Sequence, residues 1–372
     1  MIYFDNAATT RPDAESVDRA LIYLRDNYYN PSALYIEGFN AHKEIETARA
    51  DILSHVAKNG FELLFTATGS EADNTAIFSF ARRGNVVITQ GEHAAIYNAV
   101  AEISRRGIEV RYAKLNRDGS VDEENLFSLI DDETRLVSVI HVNNETGATN
   151  DITRISRLIK KKYPKVIFHS DGVQAYGKIP FVLSADVDLY TISAHKIGGV
   201  RGVAGLIKKK NLVLHPLIFG GGQESGIRGG TENVFAIKQF EFAAQKKYAS
   251  LATDLEHVRK LNEYLRTALN TEYFEVLSSH DASPYVLSLA ANGLRGEVLL
   301  HMVNDEGLLV GTGSACSSKN RYSRVMLACG LNEATASGVL RLSFCPQNTM
   351  KEAELASEIL NRCARLLTER MK

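Results

Sequence analysis

A lysine at the end of a strand-like run is the first residue in this chain that could do chemistry. SAHK at 193–196 follows the apolar run DLYTISA and precedes the glycine-rich GGVRG. An ε-amine placed there could form a Schiff base with an aldehyde cofactor, and Ser193 and His195 beside it could hold that cofactor's phosphate. A solvated loop lysine has the same local sequence, so the segment gains meaning only from its company. HSDGVQAYG at 169–177 puts Asp171 at the end of another strand-like run. A carboxylate there could pair with a protonated pyridine nitrogen and keep pyridoxal 5'-phosphate electron-withdrawing. A turn or N-cap aspartate is the plain alternative. Gln174 is placed to reach the same ring.

Other segments bring complementary groups. FTATGSEADN at 65–74 reads as a strand running into a helix, so Gly69 and Ser70 would offer N–H groups and a hydroxyl to a phosphate. Ser70 and Glu71 would serve equally as ordinary helix capping. The segment has no G-K-[ST] of a Walker loop, and no G-x-G-x-x-G follows the first strands. His93, in EHAAIYNAV, stands at a strand-to-helix junction where an imidazole could stack on a cofactor ring and move protons. In HVNNETG at 141–147, Asn144 is a candidate partner for a cofactor hydroxyl, whereas Asn143 reads as a loop-holding residue. GGGQESGIRGGTEN at 220–233 carries Arg228 and Thr231 on a backbone that can approach an anion or a neighbouring chain. Cys316 lies among small residues in GTGSACSSKN, a context that suits a reactive thiol. Cys329, Cys345 and Cys363 sit in apolar contexts and read as structural. Arg341, in the strand-like VLRLSF, could clamp a carboxylate through two N–H groups.

The elements that must position these groups alternate. Seven apolar, β-branched runs recur: LLFT (63–66), VVIT (86–89), VRYAKL (110–115), LVSVIHV (136–142), VIFHSD (166–171), DLYTISA (188–194) and VAGLIK (203–208). Helical periodicity separates several of them. It is seen over 42–57 (Ile45, Ala48, Ile52, Leu53, Val56), 94–105 (Ile96, Val100, Ile103) and 151–162 (Ile152, Ile155, Leu158, Ile159). This predicts an α/β fold with a mostly parallel sheet covered by helices, and ligands outside the strand C-termini. After about residue 232 one long helical pattern runs through 235–269. Two strand candidates, FEVLS and YVLSLAA, and a closing amphipathic helix follow. We expect a large domain over 15–245 and a smaller α+β domain made of 1–14 and 246–372, joined by the long helix.

With 372 residues, 45% hydrophobic and 23% charged, the chain has ample material for a core. Its 43 basic and 44 acidic residues leave a net charge of −1, which argues against a strongly basic nucleic-acid binder. No apolar run is long enough to span a bilayer, and MIYFDNAATT does not read as a secretory signal. The cysteines show no metal-ligand spacing, and we expect no metal, no membrane, no direct nucleic-acid contact and a cytoplasmic protein with reduced thiols.

Taken in order, YFDNAATT, NPSALYIEG, FTATGSEADN, EHAAIYNAV, HVNNETG, HSDGVQAYGK, SAHKIGGVRG, GGGQESGIRGGTEN, GTGSACSS and VLRLSF resemble the cysteine desulfurases. These are class V aminotransferase-like, fold-type I pyridoxal-phosphate enzymes, and the likeness covers nearly the whole chain. It implies a fold-type I PLP-dependent transferase with a seven-stranded, mostly parallel sheet. It implies that L-cysteine becomes L-alanine while the sulfur passes to Cys316 as a persulfide. It further implies Lys196 as the Schiff-base lysine, Asp171 on the pyridine nitrogen and His93 on the ring, with Gln174 and Asn144 near the ring hydroxyl. Gly69, Ser70, Ser193 and His195 would bind the phosphate, and Thr231 would reach the phosphate of the other subunit in a homodimer. Arg341, with Asn144, would hold the substrate. The persulfide would go to an acceptor such as an iron–sulfur scaffold or a tRNA-thiolation enzyme. A class V aminotransferase, a selenocysteine lyase and a non-enzymatic relative are the competing readings. The chain departs from the family pattern at Thr68, Tyr35, Ser225 and the run Phe344-Cys345-Pro346.

Overall fold

The computed structural model describes residues 1–312 and 322–371. In chain order the strands are β1 (Ile2–Phe4), β2 (Phe61–Thr66), β3 (Asn85–Thr89), β4 (Glu109–Ala113), β5 (Thr134–Ser138), β6 (Ile167–Asp171), β7 (Leu189–Ser193), β8 (Ala204–Lys209), β9 (Phe274–Val276), β10 (Val286–Ala291), β11 (Leu308–Val310) and β12 (Val339–Ser343). Each of the seven runs marked in the sequence supplies one strand, β2 to β8, of a seven-stranded sheet in the order β2-β8-β7-β6-β5-β3-β4. The pairs β7–β6, β6–β5, β5–β3 and β3–β4 are parallel, and β8 is antiparallel to both neighbours, β2 and β7. Six strands therefore run the same way and end at one edge.

Apart from the edge strand β4, these strands are largely buried on both faces, as parallel sheets require. All five residues of β3 and of β7 are buried. One cover includes the helix Ile36–Ser54, whose Ile45, Ala48 and Ile52 pack into a core with Leu63, Phe168, Tyr190 and Ile192. The helix Ala94–Arg105 buries Ile96, Val100 and Ile103 against Val86 and Ile88 in a second cluster. The helix Ile152–Lys162 buries Ile152, Ile155, Ser156 and Ile159. Leu158, expected on that stripe, is 42% exposed. At 100° per residue it falls off the face that Ile152, Ile155, Ser156 and Ile159 share, so geometry overrides its hydrophobicity.

The remaining strands form two smaller sheets, antiparallel β12-β10-β9 and parallel β1-β11. A separate core joins Phe4 of β1 to Leu287, Leu289, Leu340 and Leu342, with Leu261 and Leu360 from helices. The long helical pattern is two helices, Val234–Ala249 and Leu251–Ala268, broken at Ser250 (φ −116°, ψ 11°). The helical periodicity continues through the break, which is why the sequence alone reads one helix. The chain closes with the helix Met350–Met371. Among the described residues, no helix is long and apolar enough to cross a membrane.

Candidate active site

The loops that leave five of the six like-oriented strands, β2, β3, β5, β6 and β7, meet at a cavity of about 510 Å³. From β2 the chain turns into the helix Gly69–Phe80, capped by Thr68, whose side-chain oxygen accepts from the Glu71 N–H at 3.0 Å. The capping is thus done by Thr68, which leaves the Ser70 hydroxyl for other work. The first N–H groups of a helix have no intrahelical acceptor, and Gly69 and Ser70 line the cavity. A Cβ on Gly69 would lie 3.3 Å from Val173 Cγ2, tight against the loop after β6.

His93 follows β3 and caps the helix Ala94–Arg105, with Nδ1 accepting from the Ala95 N–H at 3.2 Å. The neutral ring therefore carries its proton on Nε2. Burial lowers the His93 pKa, the Asp171 charge pulls it back up, and Lys196 and Arg324 lower it again. Asp171 ends β6, is 5% exposed and accepts from the Val173 N–H at 2.9 Å. Burial raises its pKa, opposed chiefly by the charge of His93. The next residue must be glycine, since a Cβ on Gly172 would lie 1.8 Å from Tyr190 Cζ. Gln174 donates from Nε2 to the Ala7 carbonyl at 2.9 Å and accepts from Lys178 Nζ at 2.7 Å.

After β7 a 3-10 turn, Ala194–Lys196, presents the lysine. Lys196 Nζ donates to the carbonyls of Ala7 and Ala8 at 2.7 and 2.8 Å. His195 Nδ1 lies 3.1 Å from Thr9 Oγ1, and burial with the Lys196 charge holds this imidazole down at about 4. After β5, Asn143 accepts from the Glu145 and Thr146 N–H groups and donates to the Gly91 carbonyl, so it holds the loop that carries Asn144. Arg341, on β12 and 6% exposed, donates to the Asn144 carbonyl at 3.0 Å and to Asp5 Oδ1 at 2.7 Å. Its buried Nε has no partner.

Gly69, Ser70, His93, Asn144 and Asp171 all line this one cavity. So do Gln174, Ser193, His195, Lys196 and Arg341. Thr231 does not. It lines a separate cavity of about 110 Å³ with Arg228, whose Nε donates to Glu71 Oε1 at 3.0 Å. Cys316 lies outside the described residues, and among those described no cysteine lines the 510 Å³ cavity. Cys329 and Cys363 are buried, with the Cys329 thiol pushed up to about 12 by burial. Cys345 is only half-buried and borders another cavity, so an apolar sequence context was a poor guide to it.

Sequence reasoning passed over the acidic floor of the site. Asp73, His93 and Asp171 bring ligand-type atoms within 4.8 Å of one another, and Asp73 Oδ1 is buried without a hydrogen-bond partner. Arg324 also lines the cavity, donates to the backbone carbonyls of Gln90 and Glu92 and lies 3.9 Å from the Tyr97 ring centroid. Glu92 is wholly buried and accepts from the Thr89 hydroxyl at 2.7 Å and the Ile140 N–H at 2.8 Å. Its place beside His93 was the available signal.

Burial raises the Glu92 pKa to about 7 from the ordinary 4.5. The folded chain thus holds a proton that the unfolded chain has released between those pH values. Stability carried by that proton is full below about 4.5 and is lost as pH rises to about 7. Glu92→Gln keeps an acceptor for Thr89 and Ile140 and never ionises. We expect it to be about 2–3 kcal/mol more stable than the parent above pH 8, with the gain gone near pH 4.5. Urea midpoints across pH check this, and a gain that is flat with pH would contradict it.

A model of the family described as aminotransferase class-V matches residues 2–355. A NifS/IcsS protein homolog of Lactobacillus delbrueckii subsp. bulgaricus is 36% identical over 371 residues, spanning 95% of this chain and 94% of that protein. A cysteine desulfurase of Trichormus azollae is 32% identical, spanning 97% and 92%. A solved NifS-like protein superposes with a TM-score of 0.92 at 31% identity, covering 98% of this chain and 100% of the other. The fold is that of the fold-type I pyridoxal-phosphate enzymes. The chain belongs to the class-V aminotransferase family. That family is in general pyridoxal-phosphate-dependent.

Proposed function

We propose that this chain is a pyridoxal-phosphate-dependent cysteine desulfurase that converts L-cysteine to L-alanine and passes the sulfur to Cys316 as a persulfide. The observation that carries the reading is the convergence of Lys196, Asp171, His93 and Arg341 on one cavity, in a chain similar over nearly its full length to cysteine desulfurases. The residues fit the cofactor. A helix start at Gly69 and Ser70 suits a phosphate, and a buried carboxyl raised by burial at Asp171 suits a pyridinium.

When bound, pyridoxal phosphate supplies an electron sink for a substrate carbanion. Gly69, Ser70, Ser193 and His195 would hold its phosphate, Asp171 its ring nitrogen, and His93 its ring face. Gln174 and Asn144 would serve the ring hydroxyl. Gln174 is pinned at both ends by Ala7 and Lys178, so its orientation is fixed before anything binds. Arg341 grips the substrate carboxylate, with Nε as the donor that has no partner of its own. Lys196 Nζ moves the proton at the substrate Cα, and His93 Nε2–H serves the substrate thiol. The Cys316 thiolate then takes the sulfur: a sulfur–sulfur bond forms, the substrate carbon–sulfur bond breaks with its electron pair left on the β-carbon, that carbon takes a proton, and alanine leaves.

The domain division 15–245 and 1–14 with 246–372 belongs to this proposal. The separate cores and the break at Ser250 support it. So does a homodimer, supported by exposed apolar side chains at Leu34, Ile36, Phe39 and Phe219 beside the loop that carries Thr231. A cytoplasmic enzyme serving an iron–sulfur scaffold or a tRNA-thiolation enzyme completes the reading. The deciding experiment incubates the holoenzyme with L-cysteine and a reductant and assays sulfide and alanine together. Equal amounts of both are expected, and pyruvate or a keto acid without alanine would point to another class V reaction.

Gly311 offers a sharper probe of the substrate grip. A Cβ there would lie 2.6 Å from Asp5 Oδ1 and 2.9 Å from Arg341 Nη2. Gly311→Ala must therefore displace the Asp5 carboxylate or the guanidinium tip, and either disturbs the pair that aims Arg341. We expect the KM for L-cysteine to rise about tenfold with a smaller change in kcat. An unchanged KM would remove Arg341 from the carboxylate.

A further inference from the structure

A second cavity, of about 260 Å³, shares Lys196 with the 510 Å³ cavity. Its walls combine Lys178 and Lys196 with Lys246 and Lys247 of the helix Val234–Ala249, Tyr285 before β10, and Cys345 after β12. Two of the lysines are neutralised. Lys246 pairs with Asp13 and Glu15, and Lys247 with Asp254. Lys178 is different. It is 4% exposed, donates to Gln174 Oε1 and has no carboxylate within ion-pair distance among the described residues. Its Nζ stands 5.6 Å from the centroid of the Tyr285 ring. Tyr285 is itself 3% exposed, and its hydroxyl has no hydrogen-bond partner. Asp254 and Cys345, both in this wall, lie close enough to raise the Tyr285 pKa further after burial has done so. A buried cation without a counter-charge and a buried hydroxyl without a partner are each costly, and here they face the same space.

We infer that this cavity is a binding site for a small inorganic anion, held by Lys178 and the Tyr285 hydroxyl. The inference does not rest on the desulfurase reading, because Lys178 and Tyr285, which hold the anion, take no part in that reaction. An anion there supplies the counter-charge that Lys178 lacks and the acceptor that Tyr285 lacks. It also touches the cofactor site by a short path. Lys178 bonds Gln174, Gln174 bonds the Ala7 carbonyl, and Lys196 bonds the same carbonyl. Burial, with the charges of Lys196 and Lys247, holds Lys178 down at about 7, while Cys345 raises it and Arg341 lowers it. Anion and proton therefore bind together, and each favours the other by the same factor.

Selenate is the probe for position and radiolabelled sulfate for affinity, both with the holoenzyme, in which the cofactor's own phosphate site is filled. Both anions keep their charge from pH 6.5 to 8.5, so any pH effect belongs to the protein. The expected result is an anomalous selenate peak beside Lys178 in soaked crystals. In equilibrium dialysis we expect one saturable sulfate site per chain, about tenfold weaker at pH 8.5 than at 6.5. Lys178→Met should abolish that site and Tyr285→Phe weaken it at least severalfold. If Lys178→Met does not fold, Tyr285→Phe and the selenate position carry the test. No saturable binding, a peak only at Arg341, or affinity unchanged in Tyr285→Phe would overturn the inference.

Discussion

Lys196→Ala protein will fold and show the parent's circular dichroism, yet it will have no measurable turnover and no near-visible absorption from lysine-bound cofactor. The side chain ends a 3-10 turn, and its Nζ is held by the Ala7 and Ala8 carbonyls. Losing those bonds costs about 1–3 kcal/mol, since Ala7 O keeps its bond from Gln174. The fold can bear that. The chemistry cannot, because among the described residues no other lysine lines the 510 Å³ cavity. Lys178, the nearest substitute through Gln174, faces the second cavity. The loss in kcat should be on the order of 10⁴-fold or more, as for removal of a covalent group elsewhere. Absorption spectra and single-turnover assays of the same preparation measure both effects. Parent-like activity in this variant would end the assignment of Lys196.

Cys316→Ser should separate binding from sulfur transfer. The variant will keep its cofactor absorption and still change spectrum when L-cysteine is added, but sulfide release should fall by on the order of 10²-fold or more. A serine hydroxyl is a poor acceptor of sulfur, and none of the described thiols can replace the missing one. Cys329 and Cys363 are buried, and Cys345 opens on the second cavity, away from Asp171 and His93. Trapping the persulfide by alkylation and locating it by mass spectrometry checks the outcome. Sulfide produced at the parent rate would mean that the thiol is not the acceptor and that a lyase route operates.

Much of this architecture was legible before any coordinates. The seven runs from LLFT to VAGLIK are the seven strands because each is short and apolar, and all but the edge strand β4 are largely buried on both faces. The same locality made the site legible. SAHK, HSDG, EHAA and TGSE each place a reactive group within a few residues of a strand end, and parallel strands bring those ends to one edge. Periodicity failed where packing or backbone geometry departed from it, at Leu158 and at Ser250.

What the chain alone did not disclose are contacts between residues far apart in sequence. Asp5 meets Arg341 because β1 pairs with β11, which brings the N-terminus to the edge of β12. The Ala7 and Ala8 carbonyls reach Lys196 by the same closure. Alanine has no polar side chain to advertise that role. Tertiary structure likewise set Thr231 in a different cavity from Lys196 and turned Cys345 from an apolar sequence neighbour into the wall of a charged pocket. Local patterns encode which face of an element is buried. Which elements then share a cavity is decided only when the whole chain closes, because that depends on the summed packing of cores no short window contains.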